Sequence, residues 1–256
     1  METGIERGVA LVTGAARGIG YAIASALAAQ GFDVALASLE AQGPPLDSFA
    51  ACGRRARYYA FDLADLDRHE ALLDQIERDL GVPACLVNNA GVTSLVRDDL
   101  LALTPASFDR CVAVNLRGTF FLTQATAKRM LAAESSGRTR TIVTISSANA
   151  EIVGENRGDY CMTKAALAMM NKLFASRLAD AGIASFEVRP GIIRTDMTAP
   201  AAERYDPFIN SGGVPQRRWG RADDIGLAVA TLACGGLPYA TGIHIDVAGG
   251  MQLQRV

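Results

Sequence analysis

Tyr160 and Lys164 stand four residues apart near the start of Asp159 to Ala181, a stretch with helical patterning, so both side chains leave one face of a helix. An isolated phenol titrates near pH ~10, and a neighbouring ammonium favours its phenolate, drawing a proton donor and acceptor toward working pH. The spacing alone is weak, because many exposed helices carry Tyr and Lys four apart by chance. Ser147 changes that judgement. It stands thirteen positions before Tyr160, at the end of the β-branched run Thr141 to Ser146, and the mouth of an open parallel sheet lies at the carboxyl ends of its strands. A hydroxyl, a phenol and an ammonium gathered there suit general acid/base work on a carbonyl or alcohol oxygen.

A place for a phosphate-bearing cofactor lies earlier. Val9 to Thr13 reads as a strand and runs through Thr13-Gly14-Ala15-Ala16-Arg17-Gly18-Ile19-Gly20 directly into a helix. Gly14, Gly18 and Gly20 let the chain turn tightly, let a pyrophosphate approach the backbone, and let the helix pack on the sheet. The free amides at the helix start, around Gly18 and Ile19, would hold the phosphates. At the end of the second strand, where dinucleotide folds preferring NAD place Asp or Glu, this chain has Ser38. An uncharged residue does not repel a 2′-phosphate, and Arg17 could pair with one, which leans toward NADP. Glu40 nearby keeps NAD open.

The elements that must position these residues alternate. Val9 to Thr13, Val34 to Ala37, Arg57 to Phe61, Cys85 to Asn88, Thr141 to Ser146, Ser185 to Arg189 and Gly242 to Val247 are short apolar runs suited to strands buried on both faces. Ile19 to Gln30, Arg68 to Leu80, Phe108 to Leu131, Asp159 to Ala181 and Arg221 to Cys234 carry helical patterning between them. The pattern predicts an α/β fold: one domain over 1–256, a Rossmann-type doubly wound parallel sheet of about seven strands. No linker or repeat divides it. Thr195 to Trp219, with Pro200, Pro207, Pro215 and Gly212-Gly213, reads as one long irregular stretch, expected to be a substrate lid or an excursion packed on a subunit neighbour.

Composition narrows the function. Half the residues are hydrophobic, and 25 basic against 27 acidic residues leave a net charge of -2. No basic field points to nucleic acid or an acidic membrane surface, so small molecules are the expected ligands. No apolar run approaches the ~18 residues of a membrane span, and Met1 to Gly8, with Glu2 and Glu6, lacks the layout of a signal peptide, so a cytoplasmic location is expected. Cys52, Cys85, Cys111, Cys161 and Cys234 form no CxxC and read as reduced thiols. His69 and His244 stand in no ligand-like cluster, and no metal is expected.

The form TGxxxGxG, together with the Ser, Tyr and Lys spacing, resembles the short-chain dehydrogenase/reductase family over essentially the full length. Asn88-Asn89-Ala90-Gly91 resembles the family's NNAG element, which lines the adenosine side of the cofactor site. Asp62, followed by Leu63, resembles the acidic residue beside the adenine, with a helix N-cap as its plainer alternative. Pro190-Gly191-Ile192-Ile193-Arg194-Thr195 matches PGxxxT, where groups near Ile193 and the hydroxyl of Thr195 would hold the nicotinamide carboxamide. Asn115 in Val114-Asn115-Leu116-Arg117-Gly118 resembles the family's catalytic asparagine, which sits at a helix irregularity; a buried structural Asn is the alternative. The resemblance implies that Ser147 polarises the substrate oxygen, Tyr160 gives or takes its proton, and Lys164 lowers the tyrosine pKa while binding the nicotinamide ribose. Asn115 would hold a water that relays protons to the lysine.

It further implies an NAD(P)-dependent oxidoreductase interconverting a carbonyl and a secondary alcohol, and a homotetramer using the end from Tyr239 to Gly250 as a contact. The polar residues Asn149, Glu151, Glu155, Asn156 and Arg157 after Ser147 favour a sugar- or polyol-like substrate. The alternative is a 3-oxoacyl-[acyl-carrier-protein] reductase, whose basic carrier-docking positions correspond to Lys128, which fits, and Ala181, which does not. A non-catalytic nicotinamide-binding redox sensor stands behind both, because such proteins commonly lose the Tyr or Lys.

Overall fold

The computed structural model describes residues 7–134 and 137–254; Met1 to Glu6, the part of the N-terminal segment read above for a leader, lies outside them. Seven strands form one all-parallel sheet: β1 (Val9–Thr13), β2 (Asp33–Ser38), β3 (Ala56–Ala60), β4 (Pro83–Asn88), β5 (Arg140–Ile145), β6 (Ile183–Pro190) and β7 (His244–Val247), in the order β3-β2-β1-β4-β5-β6-β7. Parallel strands need covered crossovers, so both faces of the central strands are buried; β1, β2 and β4 have no exposed residue. Alternation along each strand divides the core into two layers. Ala10, Val12 and Val87 face Ile23 and Leu27 of α1 (Gly18–Ala29) and Ile225 and Val229 of α8 (Ala222–Ala233). Val9, Leu11 and Leu86 face Leu73 and Ile76 of α3 (His69–Asp79) and Leu122 and Met130 of α5 (Thr119–Ala132).

The chain runs outward from β1 to β3, then returns to start again at β4 beside β1. The strand order reverses between these two neighbours, and a crevice opens beyond their carboxyl ends.

Three expectations are corrected. The stretch Thr195 to Trp219 is not wholly irregular, since α7 (Ala202–Asn210) forms within it with Pro207 inside. The proline read as a breaker, yet a short helix survives the loss of one backbone bond because Ile209 is buried and Phe208 lies against Gly213. The helix expected from Phe108 begins earlier, as α4 (Pro105–Cys111), where the Thr104 hydroxyl accepts from the Ser107 amide at 3.3 Å. The third strand stops at Ala60 and not at Phe61, and Asp62 after it caps no long helix; it accepts from the Ala64 amide at 2.9 Å in a local turn. A short helix, α2 (Asp47–Ala51), was not expected at all.

Candidate active site

At the switch point, the Thr13 hydroxyl accepts from the amides of Asn89 and Ala90, each at 3.0 Å, and donates to the Val87 carbonyl. The Asn89 side-chain amide returns bonds to the carbonyls of Thr13 at 2.9 Å and Gly14 at 3.2 Å. The ends of β1 and β4 are thereby locked together, and the glycine turn is seated on Asn89-Ala90-Gly91. Gly14 has φ +64°, and a Cβ there would lie 2.8 Å from the Ala90 Cα. A Cβ on Gly20 would lie 2.1 Å from the Gly14 carbonyl oxygen. Arg17 opens α1 without capping it by its side chain, so the amides of Gly18, Ile19 and Gly20 are left for an anion. Thr195 stands across the turn, its methyl 3.7 Å from a Cβ built on Gly18. Ile193 is bridged to Gly220, and Gly191, after Pro190, packs against Ala248. This crevice, walled by backbone and lacking room for side chains, fits a dinucleotide.

At the end of β2, Ser38 donates to Glu40 at 2.6 Å, and Arg17 reaches Glu40 at 3.4 Å and Asp196 at 3.3 Å. The hydrogen bond from Ser38, ahead of the contact with Arg17, holds the Glu40 carboxyl below the usual range. Arg17 is therefore shared between two carboxylates, a partnership that sequence reasoning did not anticipate. Asp62 is exposed, while Leu63 is buried with its carbonyl against Gly118.

The candidate acid/base residues meet beyond β5. Ser147 follows that strand by two residues and opens a short helical turn, accepting from the Asn149 amide at 3.1 Å. Tyr160 and Lys164 lie on α6 (Gly158–Leu178), one turn apart. Lys164 is 4% exposed, donates to the Ile145 carbonyl at 3.0 Å, and sits 5.5 Å from the centre of the Tyr160 ring. Burial pulls its pKa down to about 8 against the opposing pull of Glu187. Burial likewise holds the Tyr160 phenol above its ordinary value, although a hydrogen bond to Ser147 and the charges of Arg157 and Arg97 favour the phenolate.

Asn115 lies in a π-helical stretch, Val112–Gly118, between α4 and α5. The extra residue per turn faces it inward. Its Oδ1 accepts from the Val92 amide at 2.7 Å, and its Nδ2 donates to the Val92 carbonyl at 2.9 Å and to Thr163 at 3.1 Å. A Cβ on Gly91 would sit 3.3 Å from Asn115 Oδ1 and 3.5 Å from Lys164 Nζ, so glycine there lets the two approach.

Asp159, which sequence reasoning missed, organises the start of α6. It is fully buried and accepts from Ser94, from Ser107 at 2.6 Å and from the Tyr160 amide at 2.7 Å. Burial alone would raise its pKa, but these bonds prevail and lower it. Beneath the site, Glu187 accepts from Ser146 at 2.5 Å and from Arg189 at 2.8 Å, and Arg189 also pairs with Glu151. The spacing of Glu187 and Arg189 on one strand face was the available signal.

A cavity of about 460 Å³ opens over Ser147 and Tyr160. Of the polar residues expected to shape substrate choice, Asn149 and Arg157 line it. Glu151 instead faces Arg189. Arg97, Arg204 and Tyr205 line it unforeseen, the last two from α7.

Fold and site together define a nicotinamide-dependent oxidoreductase of the doubly wound α/β class. A family described as Enoyl-(Acyl carrier protein) reductase matches residues 14–252. The chain is 36% identical to nodulation protein G of Azospirillum brasilense, covering 96% of this chain and 98% of that one. A 3-oxoacyl-[acyl-carrier protein] reductase of Brucella melitensis, solved with NAD, is 47% identical with a TM-score of 0.96, over 98% of this chain and all of that one. A structure described as a 2-deoxy-D-gluconate 3-dehydrogenase of Agrobacterium tumefaciens, with bound NADP, is 34% identical with a TM-score of 0.84, over 96% and 97% of the two chains. The chain belongs to the short-chain dehydrogenase/reductase family. It is an NAD(P)-dependent enzyme that interconverts a carbonyl and an alcohol.

Proposed function

We propose that the enzyme acts on a hydroxylated small molecule, a sugar or polyol derivative, with Ser147, Tyr160, Lys164 and Asn115 as its catalytic residues. The observation that carries this reading is that Ser147 and Tyr160 line one cavity, with Lys164 and Asn115 directly behind and the glycine crevice alongside. When bound, the nicotinamide supplies or accepts the hydride. Gly14, Gly18, Ile19 and Gly20 receive the pyrophosphate on backbone amides, with Ser38, Asp62, Leu63, Asn89, Ala90 and Gly91 toward the adenosine and Pro190, Gly191, Ile193 and Thr195 toward the nicotinamide. Ser147 donates to the substrate oxygen and fixes it against Tyr160, which passes the proton. Lys164, held cationic near neutral pH, stabilises the phenolate and meets the ribose. Asn115 holds the turn that keeps Lys164 in place and the water by which it is reprotonated.

The likeness to the Brucella reductase supports a second reading, reduction of a 3-oxoacyl thioester on a carrier. Lys128 is exposed on α5 as carrier docking requires, but Ala181 offers no charge and packs against the core. The stretch 195–219 serves as the substrate lid, a role supported by the place of Arg204, Tyr205 and Phe208 in the cavity wall. The enzyme works as a homotetramer in the cytoplasm. Exposed Met162, Met169 and Leu173 along α6, and Phe121 on α5, support the assembly, and five free cysteines suit a reducing compartment.

The test is nicotinamide absorbance with sugars, polyols and 3-oxoacyl thioesters, using both cofactors. Turnover on hydroxylated substrates that falls at least ~10²-fold in Tyr160→Phe, with cofactor binding retained, is the expected result. Near-normal turnover in that variant would overturn the mechanism.

A further inference from the structure

Among the described residues, three arginines and no carboxylate supply the charge of the substrate cavity. Arg97 enters from the loop after β4, Arg157 from the residue before α6, and Arg204 from α7. Most ion pairs elsewhere in the molecule, such as Arg129 with Glu70 and Arg218 with Asp224, join a guanidinium to an acid. These three do not. Arg97 donates to the Thr93 hydroxyl at 3.1 Å, Arg157 to the side-chain carbonyls of Asn149 at 3.2 Å and Asn156 at 3.3 Å, and Arg204 lies over the Tyr205 ring.

Neutral partners orient the guanidinium groups without cancelling their charge. Arg157 is also held in register with the reacting centre, because Asn149, which receives its Nε, donates its own amide to Ser147. The phenols report the resulting field. Burial pushes the Tyr205 phenol upward, yet it titrates below its ordinary value because Arg204 bonds it and Arg157 and Arg97 add positive potential. A cavity walled in this way favours a bound anion.

We propose that the substrate carries a carboxylate held by Arg97, Arg157 and Arg204, so that among hydroxylated molecules the enzyme takes a hydroxy or oxo acid in preference to a neutral sugar or polyol. The inference rests on the oxidoreductase reading and names its substrate class. In the oxidation direction the carbinol carbon yields a hydride to the oxidised cofactor and its hydroxyl yields a proton to Tyr160, leaving the carboxylate unchanged. A phosphate would satisfy the same guanidinium groups, but the phosphate of a thioester carrier sits at the far end of a pantetheine arm. A 460 Å³ cavity that already holds the reacting carbonyl leaves it outside. Planar bidentate recognition by arginine also suits a carboxylate directly.

The test measures calorimetric binding and turnover, with cofactor present, for D-gluconate, tartrate and 3-hydroxybutyrate against the neutral sorbitol and glucose. Acetoacetyl-CoA is set against acetoacetyl N-acetylcysteamine, which lacks phosphate. The proposal expects at least one acid to bind and the neutral compounds to bind far more weakly. Arg157→Met and Arg204→Met should each raise its Kd and KM on the order of 10- to 100-fold with a smaller change in kcat. Arg157→Lys should recover part of the loss. Absence of binding by every acid, neutral compounds binding equally well, or arginine dependence confined to acetoacetyl-CoA would each overturn it. Failure of the underlying reading is seen separately, as turnover of any substrate that persists in Tyr160→Phe.

Discussion

The ammonium of Lys164 donates to the carbonyl of Ile145, the last residue of β5, at 3.0 Å. This bond fixes a buried cation to the carboxyl end of the strand that also delivers Ser147. Strand β5 and helix α6 are therefore held in register by the group proposed to carry the charge in the chemistry. Burial works against that charge, and one backbone acceptor and the more distant Glu187 only partly offset it.

A pH dependence follows. Lys164 titrates at about 8 in the folded chain, below its ordinary 10.5. Between these values the unfolded chain binds the extra proton, so stability rises with pH across this window, and the penalty of the buried charge is fully present below it. Urea unfolding of the wild type and Lys164→Met at pH 7 and pH 10 is expected to show the variant gaining most, relative to wild type, at pH 7. An unchanged difference would mean that burial does not set this pKa. The same variant should lose turnover at both pH values.

Glu40 restrains both groups that would meet a 2′-phosphate, Ser38 and Arg17. Glu40→Gln removes the negative charge beside Ser38 and leaves Arg17 paired with Asp196 alone. The expected outcome is a KM for NADP lowered by about 10-fold, equivalent to ~1.4 kcal/mol, with that for NAD raised or unchanged. Initial rates with each cofactor check it, and equal effects on both would exclude Glu40 from the choice.

Asp159 joins the loop after β4, the start of α4 and the catalytic helix through Ser94, Ser107 and the Tyr160 amide. In Asp159→Asn the charge that strengthens these bonds is lost, which should destabilise the fold by about 1–3 kcal/mol. Because the folded pKa is lowered, Asp159 stabilises above its unfolded value and that contribution is lost as pH falls through the folded one. Thermal unfolding should thus separate variant and wild type at pH 7 and bring them together in strong acid.

Gly20 leaves no space for a side chain, since a Cβ would meet the Gly14 carbonyl at 2.1 Å. Gly20→Ala must push the glycine turn off Asn89 and misplace the amides that face the crevice. Cofactor affinity, read by fluorescence titration, is expected to fall at least 10-fold, a loss of ~1.4 kcal/mol or more. Retained affinity would show that the turn can shift without harm.

The order of strands and helices, the glycine turn and the Tyr160 and Lys164 spacing were legible in the sequence because each is written in a local period: continuous apolar runs for buried strands, four residues for one turn of helix. The place of the site at the carboxyl ends of the strands followed from the alternation of these elements, and the strand order that opens the crevice came from the structure. The helical break at Asn115 was legible only by resemblance, since a π turn has no strong local pattern. Pro207 misled for a related reason, because local propensity disfavours a helix that tertiary burial of Ile209 sustains.

Contacts between distant residues belonged to the tertiary structure alone. Asp159 meets Ser94 and Ser107 across 65 and 52 positions, and Arg17 meets Asp196 across 179. Whether an arginine near the site faces solvent, an acid or the cavity is decided by how three separate segments fold over Tyr160. No periodicity encodes that convergence. The sequence by itself determined the class of chemistry through side-chain spacing on single elements, and packing between elements decided the charge presented to the substrate.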